Sequence, residues 1–483
     1  MVIPFFLNIK TCPCVTAAVA ERRVMIEKNI LEMVLARAMA TGADFAEVFV
    51  ERTKENELVM TGGKLDSIHD GLLSGAGIRV FNGLRCVHVS TTDITESGLM
   101  ACAAKAADVI GQSRAEKQIR LTERLNGDRH PIKTVPSCVP NAVKLEIVKE
   151  ADAAAREYDS AIAQVKTRLL DFDHNILIAN SEGLYTADRQ IRTRLTVVST
   201  ASDGMSNQQG SSSPGRRMGL EMFDAILPKE VGKAASAQAM TMLKAGYCPA
   251  GRMTVAIENG FGGVIFHEAC GHSLEASSVA YGQSEFAGKL GCRVACPKVT
   301  AVDDGTIPGA WGSVNIDDEG TPSRRNVLIE NGVLKSYLVD RFNGRRIGMP
   351  STGSARRQSY LFEPTSRMTN TFLLNGPDRN EDIISSIEYG LYARSMGGGS
   401  VNPVTGAFNF SVREGYLIRN GKICEPVRGA SLIGNGAEVL SAIDMVGQNL
   451  ATAQGMCGSS SGSIPTDVGQ PLIRVSSITV GGR

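Results

Sequence analysis

VLIENGVLKSYLV at residues 327–339 and GYLIRNGKI at 415–423 share one pattern: an apolar, β-rich run on either side of an Asn-Gly pair. Asn and Gly both tolerate the positive φ that a tight type I′ turn needs, so Asn331-Gly332 and Asn420-Gly421 each read as the tip of a hairpin. From residue 250 onward the chain is therefore expected to be mostly antiparallel sheet with few helices. One helical interruption, around 261–279, breaks that pattern.

The preceding half mixes periods. Ile26, Ile30, Met33, Val34 and Leu35 recur at helical spacing over 25–41, with Gly42 where a helix C-cap belongs. Ala46, Val48 and Val50 then alternate with Glu47 and Glu51, the pattern of a half-buried strand. Asn82-Gly83 lies between two more apolar runs and predicts another type I′ hairpin. Helical patterns return at 94–111 and 141–158, separated by a polar stretch at 112–140. Strand-like runs follow near 165–172 and 176–200, then a Gly/Ser-rich loop from Gly204 to Arg217 and a helix starting at Pro228. The expected fold class is α+β. An N-terminal region, 25–226, carries antiparallel sheet with flanking helices and splits into two subdomains near 112–140, and a β-rich C-terminal domain covers 227–483. Residues 1–24 stand apart as an extension.

Composition narrows the functional classes. The chain has 483 residues, too many for one ordinary core, with 51 Lys+Arg against 50 Asp+Glu. A balance of +1 argues against a binder of nucleic acid driven by counter-ion release. The 11 cysteines are scattered singly and odd in number, which favours a reducing compartment, the cytoplasm, over a secreted disulfide scaffold. No run of 18 apolar residues marks a membrane span. The opening MVIPFFLNIKTCPCVTAAVA has the outline of a signal peptide ending at Ala18-Val19-Ala20. Without a basic residue before its apolar run, and with Lys10 and Pro13 inside it, an over-extended start ahead of Met25 or a tail is the better reading.

The chemistry concentrates at Phe266-His267-Glu268-Ala269-Cys270-Gly271-His272-Ser273-Leu274-Glu275. This is the His-Glu-x-x-His zinc motif with one residue too many between the histidines. On a regular α-helix a five-residue step places the imidazoles about 140° apart, so they could not share a metal. A π-type bulge or local unwinding would realign them, with Gly271 the natural place for it. A metal site here therefore requires an irregular helix. Only six histidines occur in the chain, none of the others after residue 250. A third ligand must then be Cys, Asp or Glu, or come from the other domain. Glu275 would strain the set, Cys270 can simply fill core, and Cys292 and Cys296 lie in an apolar strand-like run that suits packing. Cys457, in the glycine-flanked Gly455-Met456-Cys457-Gly458, reads as an exposed turn that suits a thiolate donor. Glu268, adjacent to a ligand, is placed to take a proton from water on the metal and pass it to a leaving amine.

These residues, together with DDGTIPGAWGSVNIDDEGTP (303–322), STGSARRQSY (351–360), RMTNTF (367–372), GYLIRNGKI, VGQPLIRV (468–475) and GADFAEVFVER (42–52), resemble the TldD/PmbA family, the modulators of DNA gyrase, and specifically its TldD branch. The resemblance spans most of the chain after Met25. It implies a cytoplasmic zinc peptidase acting on peptides or unfolded chains, with His267, His272 and Cys457 as ligands and Glu268 as general base. It also implies a dimer enclosing the site, formed with a second copy or with a PmbA-type paralogue, the branch that lacks the motif. Neither nucleic acid nor membrane is an expected partner. Two rivals are a binding or scaffold subunit with a vestigial metal site and a hydrolase of non-peptide amides.

Other signals carry less. Asp303-Asp304-Gly305 and Asp317-Asp318-Glu319-Gly320 read first as turns rather than a second metal site. Arg356, Arg357 and Gln358 suit either substrate contact or a solvated or dimer-facing role. Gly397-Gly398-Gly399 reads as a flexible loop or as a place where a peptide approaches the backbone.

Overall fold

Asn331 and Asn420 are the two non-glycine residues of positive φ among the described residues, at 49° and 50°, each followed by a glycine also of positive φ, as type I′ turns require. The structure is a computed structural model that describes residues 26–111, 117–402 and 404–482. The 1–24 extension, Met25 and part of the 112–140 stretch lie outside the described residues. Asn82-Gly83 differs from the expected turn: Asn82 closes its strand opposite Arg85, and only Gly83, at 59°, has positive φ. The turn residues are Gly83 and Leu84, so glycine alone supplies the unusual conformation.

The fold is α+β. In the N-terminal half the strands Arg85–Thr91, Lys64–Asn82, Phe45–Thr61, Ile162–Asn180 and Leu184–Ser202 lie side by side in an eight-stranded sheet. The runs at 165–172 and 176–200 thus resolve into two long strands, and the Gly/Ser segment expected as loop adds strand Asn207–Ser212 to the same sheet. Helices Lys28–Met39 and Glu96–Ile110 cover one end of a face through Leu31, Val34, Val48, Ile78 and Leu99. Helices Asn141–Arg156 and Pro228–Lys244 cover the other end through Leu58, Val148, Leu169, Val197 and Val231. Pro228 occupies the first turn, where its missing N–H has no intrahelical partner to lose.

The opposite face of this sheet is not solvated, contrary to the expected half-buried strand. Glu47 and Glu51 are buried. Glu47 receives Arg357 Nη2 at 2.6 Å and Arg79 Nη2 at 3.2 Å, while Glu51 accepts the backbone N–H of Tyr360 at 2.8 Å. Phe49, Ile176, Ile178, Ile316 and Tyr360 form an apolar patch beside them. The C-terminal half covers this face; it compensates Glu47 with Arg357 across the join, whereas burial pushes the Glu51 carboxyl up to about 7.

In the C-terminal half, strands Tyr389–Val401, Gly251–Ile257, Ile473–Gly481, Ser431–Asn435 and Ala407–Arg419 pair in succession, and the first pairs with the last, closing a ring. A six-stranded sheet runs Val333–Leu334, Arg325–Glu330, Ala301–Asp304, Asn370–Leu373, Gly462–Gln470, Ala451–Ser459. Most pairs are antiparallel; Gly251–Ile257 with Tyr389–Val401 and Asn370–Leu373 with Gly462–Gln470 are parallel. The helical segment at 260–279 is wedged between the two, its Ile265, Phe266 and Cys270 packed with Leu373, Val439, Leu440 and Ile473. No helix of the described residues is long and apolar enough to cross a membrane.

Candidate metal centre

The segment carrying both histidines is irregular. A short α-turn, Val264–Phe266, passes into a π-helix over His267–Gly271 and then a 3₁₀ turn, His272–Leu274. The N–H of His272 bonds to the carbonyl of His267, five residues back, so residues five apart share a face. Gly271 itself has ordinary helical angles, φ −55° and ψ −50°. Its reason is contact: a Cβ there would press into Met368 Sδ.

The third member comes from the sheet. Cys457 Sγ lies 3.2 Å from His267 Nε2 and 3.2 Å from His272 Nε2. The three side chains offer ligand atoms all within 4.8 Å of one another, and the imidazole planes stand at 81°. Donors sharing one tetrahedral zinc sit about 3.5 Å apart, so this set fits such an ion, with three protein donors and room for a fourth, non-protein one. Cys457 is not on an exposed turn as expected. It is 3% exposed within strand Ala451–Ser459, at the edge of the six-stranded sheet. Burial raises the thiol, but the charge of His267 and hydrogen bonds from His267 and His272 outweigh it and push the group down to about 3. In the same cluster burial depresses the basicity of His272, yet Glu275 and Cys457 raise it well above the ordinary imidazole value. A thiol depressed in this way beside two imidazole nitrogens is a donor set suited to a divalent cation.

Glu268 lies on the same turn, partly exposed, with Oε2 3.7 Å from His272 Nε2. Glu275 is not in the donor set. Its Oε2 accepts from His272 Nδ1 at 3.1 Å, which fixes the tautomer that leaves Nε2 free to bind a metal. Arg367, fully buried, donates to the Cys457 carbonyl at 2.6 Å and to Ser461 Oγ and the Gly462 carbonyl, with Nε 3.8 Å from Glu275 Oε1. The sequence pointed to Glu275 only as a ligand that would strain the set, not as the acceptor that orients His272, and Arg367 carried no local signal.

Remaining candidates resolve plainly. Cys270 is buried in the apolar cluster, and its thiol is raised by that burial. Cys292 is exposed and Cys296 half-buried in irregular backbone, not an apolar strand. Arg356 and Arg357 are neither solvated nor turned outward: Arg356 donates to the carbonyls of Met368 and Pro465, and Arg357 to Glu47. Gln358 accepts the Ser463 N–H at 2.8 Å. Gly397, Gly398 and Gly399 lie in strand Tyr389–Val401 rather than in a loop. Both expected turns are present: Gly320 N–H bonds to the Asp317 carbonyl, and the chain turns at Gly305 just after strand Ala301–Asp304, with Asp304 accepting the Thr306 N–H, while Asp303, inside the strand, binds Thr369 and Thr371. Among the described residues, His267, His272 and Cys457 are the one group of His, Cys, Asp or Glu able to hold a metal ion.

A two-histidine, one-cysteine donor set beside a glutamate, wedged between a strand ring and a sheet, defines a metalloenzyme-like centre. Residues 46–110 match domain 1, residues 135–243 the central domain and residues 250–482 the C-terminal domain of the PmbA/TldA metallopeptidases. The chain belongs to the PmbA/TldD metallopeptidase family. It is 35% identical over 451 residues to a Metalloprotease TldD homolog of Haemophilus influenzae, covering 91% of this chain and 93% of that one. A protein of Saccharolobus solfataricus named Zinc metalloprotease TldD homolog is 27% identical, with 93% and 99% covered. The fold is shared with a putative modulator of DNA gyrase from Thermotoga maritima, at TM-score 0.77 and 22% identity, covering 94% of this chain and 99% of that one. It is also shared with TldE of Thermococcus kodakarensis, at TM-score 0.72 and 20% identity over 91% and 97%.

Proposed function

We propose that this chain is a zinc-dependent hydrolase of peptides or unfolded polypeptides, with His267, His272 and Cys457 as metal ligands and Glu268 as general base. The observation that carries the reading is the convergence of three donors, drawn from a π-helical turn and a distant strand, beside the Glu268 carboxylate. Zinc held there would acidify a water molecule and polarise a scissile carbonyl. Glu268 then takes the proton from the attacking water on its carboxylate and delivers it to the leaving amine. Glu275 keeps the Nδ1 proton on His272, and Arg367 holds the backbone of Cys457, so both ligands are pre-set. The nine described cysteines are all free, which supports a cytoplasmic location. We take the active form to be a dimer, with a second copy or a PmbA-type paralogue.

Metal content by plasma mass spectrometry, on wild type and Cys457→Ser purified without added metal, tests the ligand set. About one zinc per chain, lost in the variant, is expected. Glu268→Gln should keep its zinc and lose peptide hydrolysis by at least about a hundredfold. Unchanged hydrolysis in that variant would refute the base assignment, and a metal-free wild type would favour the scaffold reading.

A further inference from the structure

Two pairs of helices cover the face of the N-terminal sheet that looks away from the C-terminal half, and they leave its middle open. Helices Lys28–Met39 and Glu96–Ile110 pack on Val48, Val50, Ala76 and Ile78, and helices Asn141–Arg156 and Pro228–Lys244 pack on Leu58, Met60, Val165 and Leu169. Between Val50 and Leu58 the strand is unbroken, so Asn56 projects onto the same face as both. Asn56 pairs with Asp70 on one side and with Asp171 on the other. Asp70, Asn56 and Asp171 thus form a row across three strands, with about 10 Å between the two outer backbones. A cavity of about 480 Å³ opens over this row, with Leu72, Pro136, Val139 and Pro140 among its walls. Small-molecule sites commonly have volumes of roughly 300–1,000 Å³.

Lys144, from the first turn of helix Asn141–Arg156, reaches down to the row. Its Nζ donates to Asn56 Oδ1 at 2.8 Å and to Asp171 Oδ2 at 2.6 Å, and Asn56 Nδ2 donates to Asp70 Oδ1 at 2.6 Å. Asn56, Lys144 and Asp171 are all buried. The floor of the cavity therefore sets one ammonium against two carboxylates. Asp171 is 3% exposed, and its Oδ1 has no hydrogen-bond partner among the described residues. Taken over the whole lining, Glu55, Asp70 and Asp171 stand against Lys54 and Lys144, a surplus of one negative charge. Burial lifts the Asp171 carboxyl to about 6 even with Lys144 against it, and the charges of Asp70 and Asp173 add to the lift. A carboxylate this enclosed is costly to ionise, and a second cation at its free oxygen offsets that cost.

We propose that this cavity binds a primary ammonium carried on an apolar chain, its charge set between Asp70 and Asp171 and its chain against Leu72, Val139 and the two prolines. The carrier is either a free alkylamine or a lysine side chain of a polypeptide. The cavity lies across the sheet from the half that holds the metal centre, so this site and the hydrolase reading stand or fall separately.

The test is isothermal titration calorimetry on the full chain at about pH 7.5, where an alkylamine carries its proton and Asp171 has lost its own. The probes are 1-pentylamine and Nα-acetyl-lysine methylamide, with 1-pentanol and pentanoate as neutral and anionic controls. 1-Pentylamine should bind once per chain with a Kd of about 1 mM or tighter, and roughly tenfold better than either control. Asp70→Asn keeps an acceptor for Asn56 while removing a charge, and should weaken the amine about tenfold. Val139→Trp fills the cavity without touching a charge and should abolish binding. Asp70 is exposed, so its variant remains informative if Val139→Trp fails to fold. Tighter binding of the lysine derivative than of 1-pentylamine assigns the cavity to a polypeptide's lysine, and the reverse order to a free amine. Pentanol or pentanoate binding as well as the amine, amine binding untouched by both substitutions, or no amine binding at ~10 mM overturns the proposal.

Discussion

Glu275→Ala should weaken metal binding although Glu275 is not in the donor set. The carboxylate is 3% exposed, holds His272 Nδ1 at 3.1 Å and lies 3.8 Å from Arg367 Nε. Removing it frees the His272 ring to turn and to exchange tautomers. Loss of such an orienting acceptor lowers metal affinity by about 10–100-fold, or roughly 1.4–2.7 kcal/mol. It also leaves Arg367 buried without its carboxylate. Breaking a buried pair costs about 3–5 kcal/mol, and the lower end applies because Arg367 retains Ser461, Gly462 and the Cys457 carbonyl. Glu275→Gln keeps an acceptor for Nδ1–H and should fall between the two in zinc affinity. The assay is competition for zinc against a chromophoric chelator, with urea unfolding of the chelator-treated protein in parallel. The two effects separate, since the affinity loss is read on folded protein. Zinc affinity within twofold of wild type in Glu275→Ala would refute the orienting role.

Three further expectations follow from the same geometry. Gly271→Ala should destabilise by about 2 kcal/mol, against the roughly 1 kcal/mol that alanine otherwise gains in a helix, and Met368→Ala should relieve much of it in a double-mutant cycle read by urea unfolding. His130, buried and accepting the Gly309 N–H on Nδ1 at 3.2 Å, is pushed down to about 3 by burial and then by Arg217, Arg192 and Arg129. Its neutral form is therefore favoured in the fold, and that contribution, complete above pH 6.5, is lost as pH falls from 6.5 toward 3. Unfolding free energy should drop by about 2 kcal/mol from this group between pH 7 and pH 5, with a shallower drop in His130→Asn. Glu319→Ala leaves Arg79 with Glu47 as its remaining partner and should cost about 3 kcal/mol in the same assay.

Local chemistry was legible and long-range compensation was not. A five-residue spacing between His267 and His272 forced an irregular helix, because no regular one serves it, and the π-turn is there. Asn331-Gly332 and Asn420-Gly421 specify their turns by backbone sterics alone. Glu47 and Glu51 alternate with apolar residues as on a solvated face, yet their compensation comes from residues about 300 positions further on. Arg356 and Arg357 misled for the same reason. The glycines around Cys457 suggested a turn, but the stretch pairs residue by residue with Gly462–Gln470. No pattern within a short window distinguishes a charged surface strand from one whose counter-charges arrive later in the chain.

That separation bears on how the protein is made. Glu47 meets Arg357 across 310 positions and Arg79 meets Glu319 across 240. While the chain is being synthesised, strands 45–61 and 64–82 can pair at once, which sets Arg79 against Glu47, but Arg357, Glu319 and the Tyr360 N–H that complete the set are not yet made. Hydrated charge interrupts the apolar surface of Phe49, Ile176 and Ile178 during that wait, which limits its sticking to other nascent chains. The same groups penalise premature closure onto any surface that lacks matching charges. The seam between the halves is therefore completed only when the segment carrying Glu319 and Arg357 has left the ribosome.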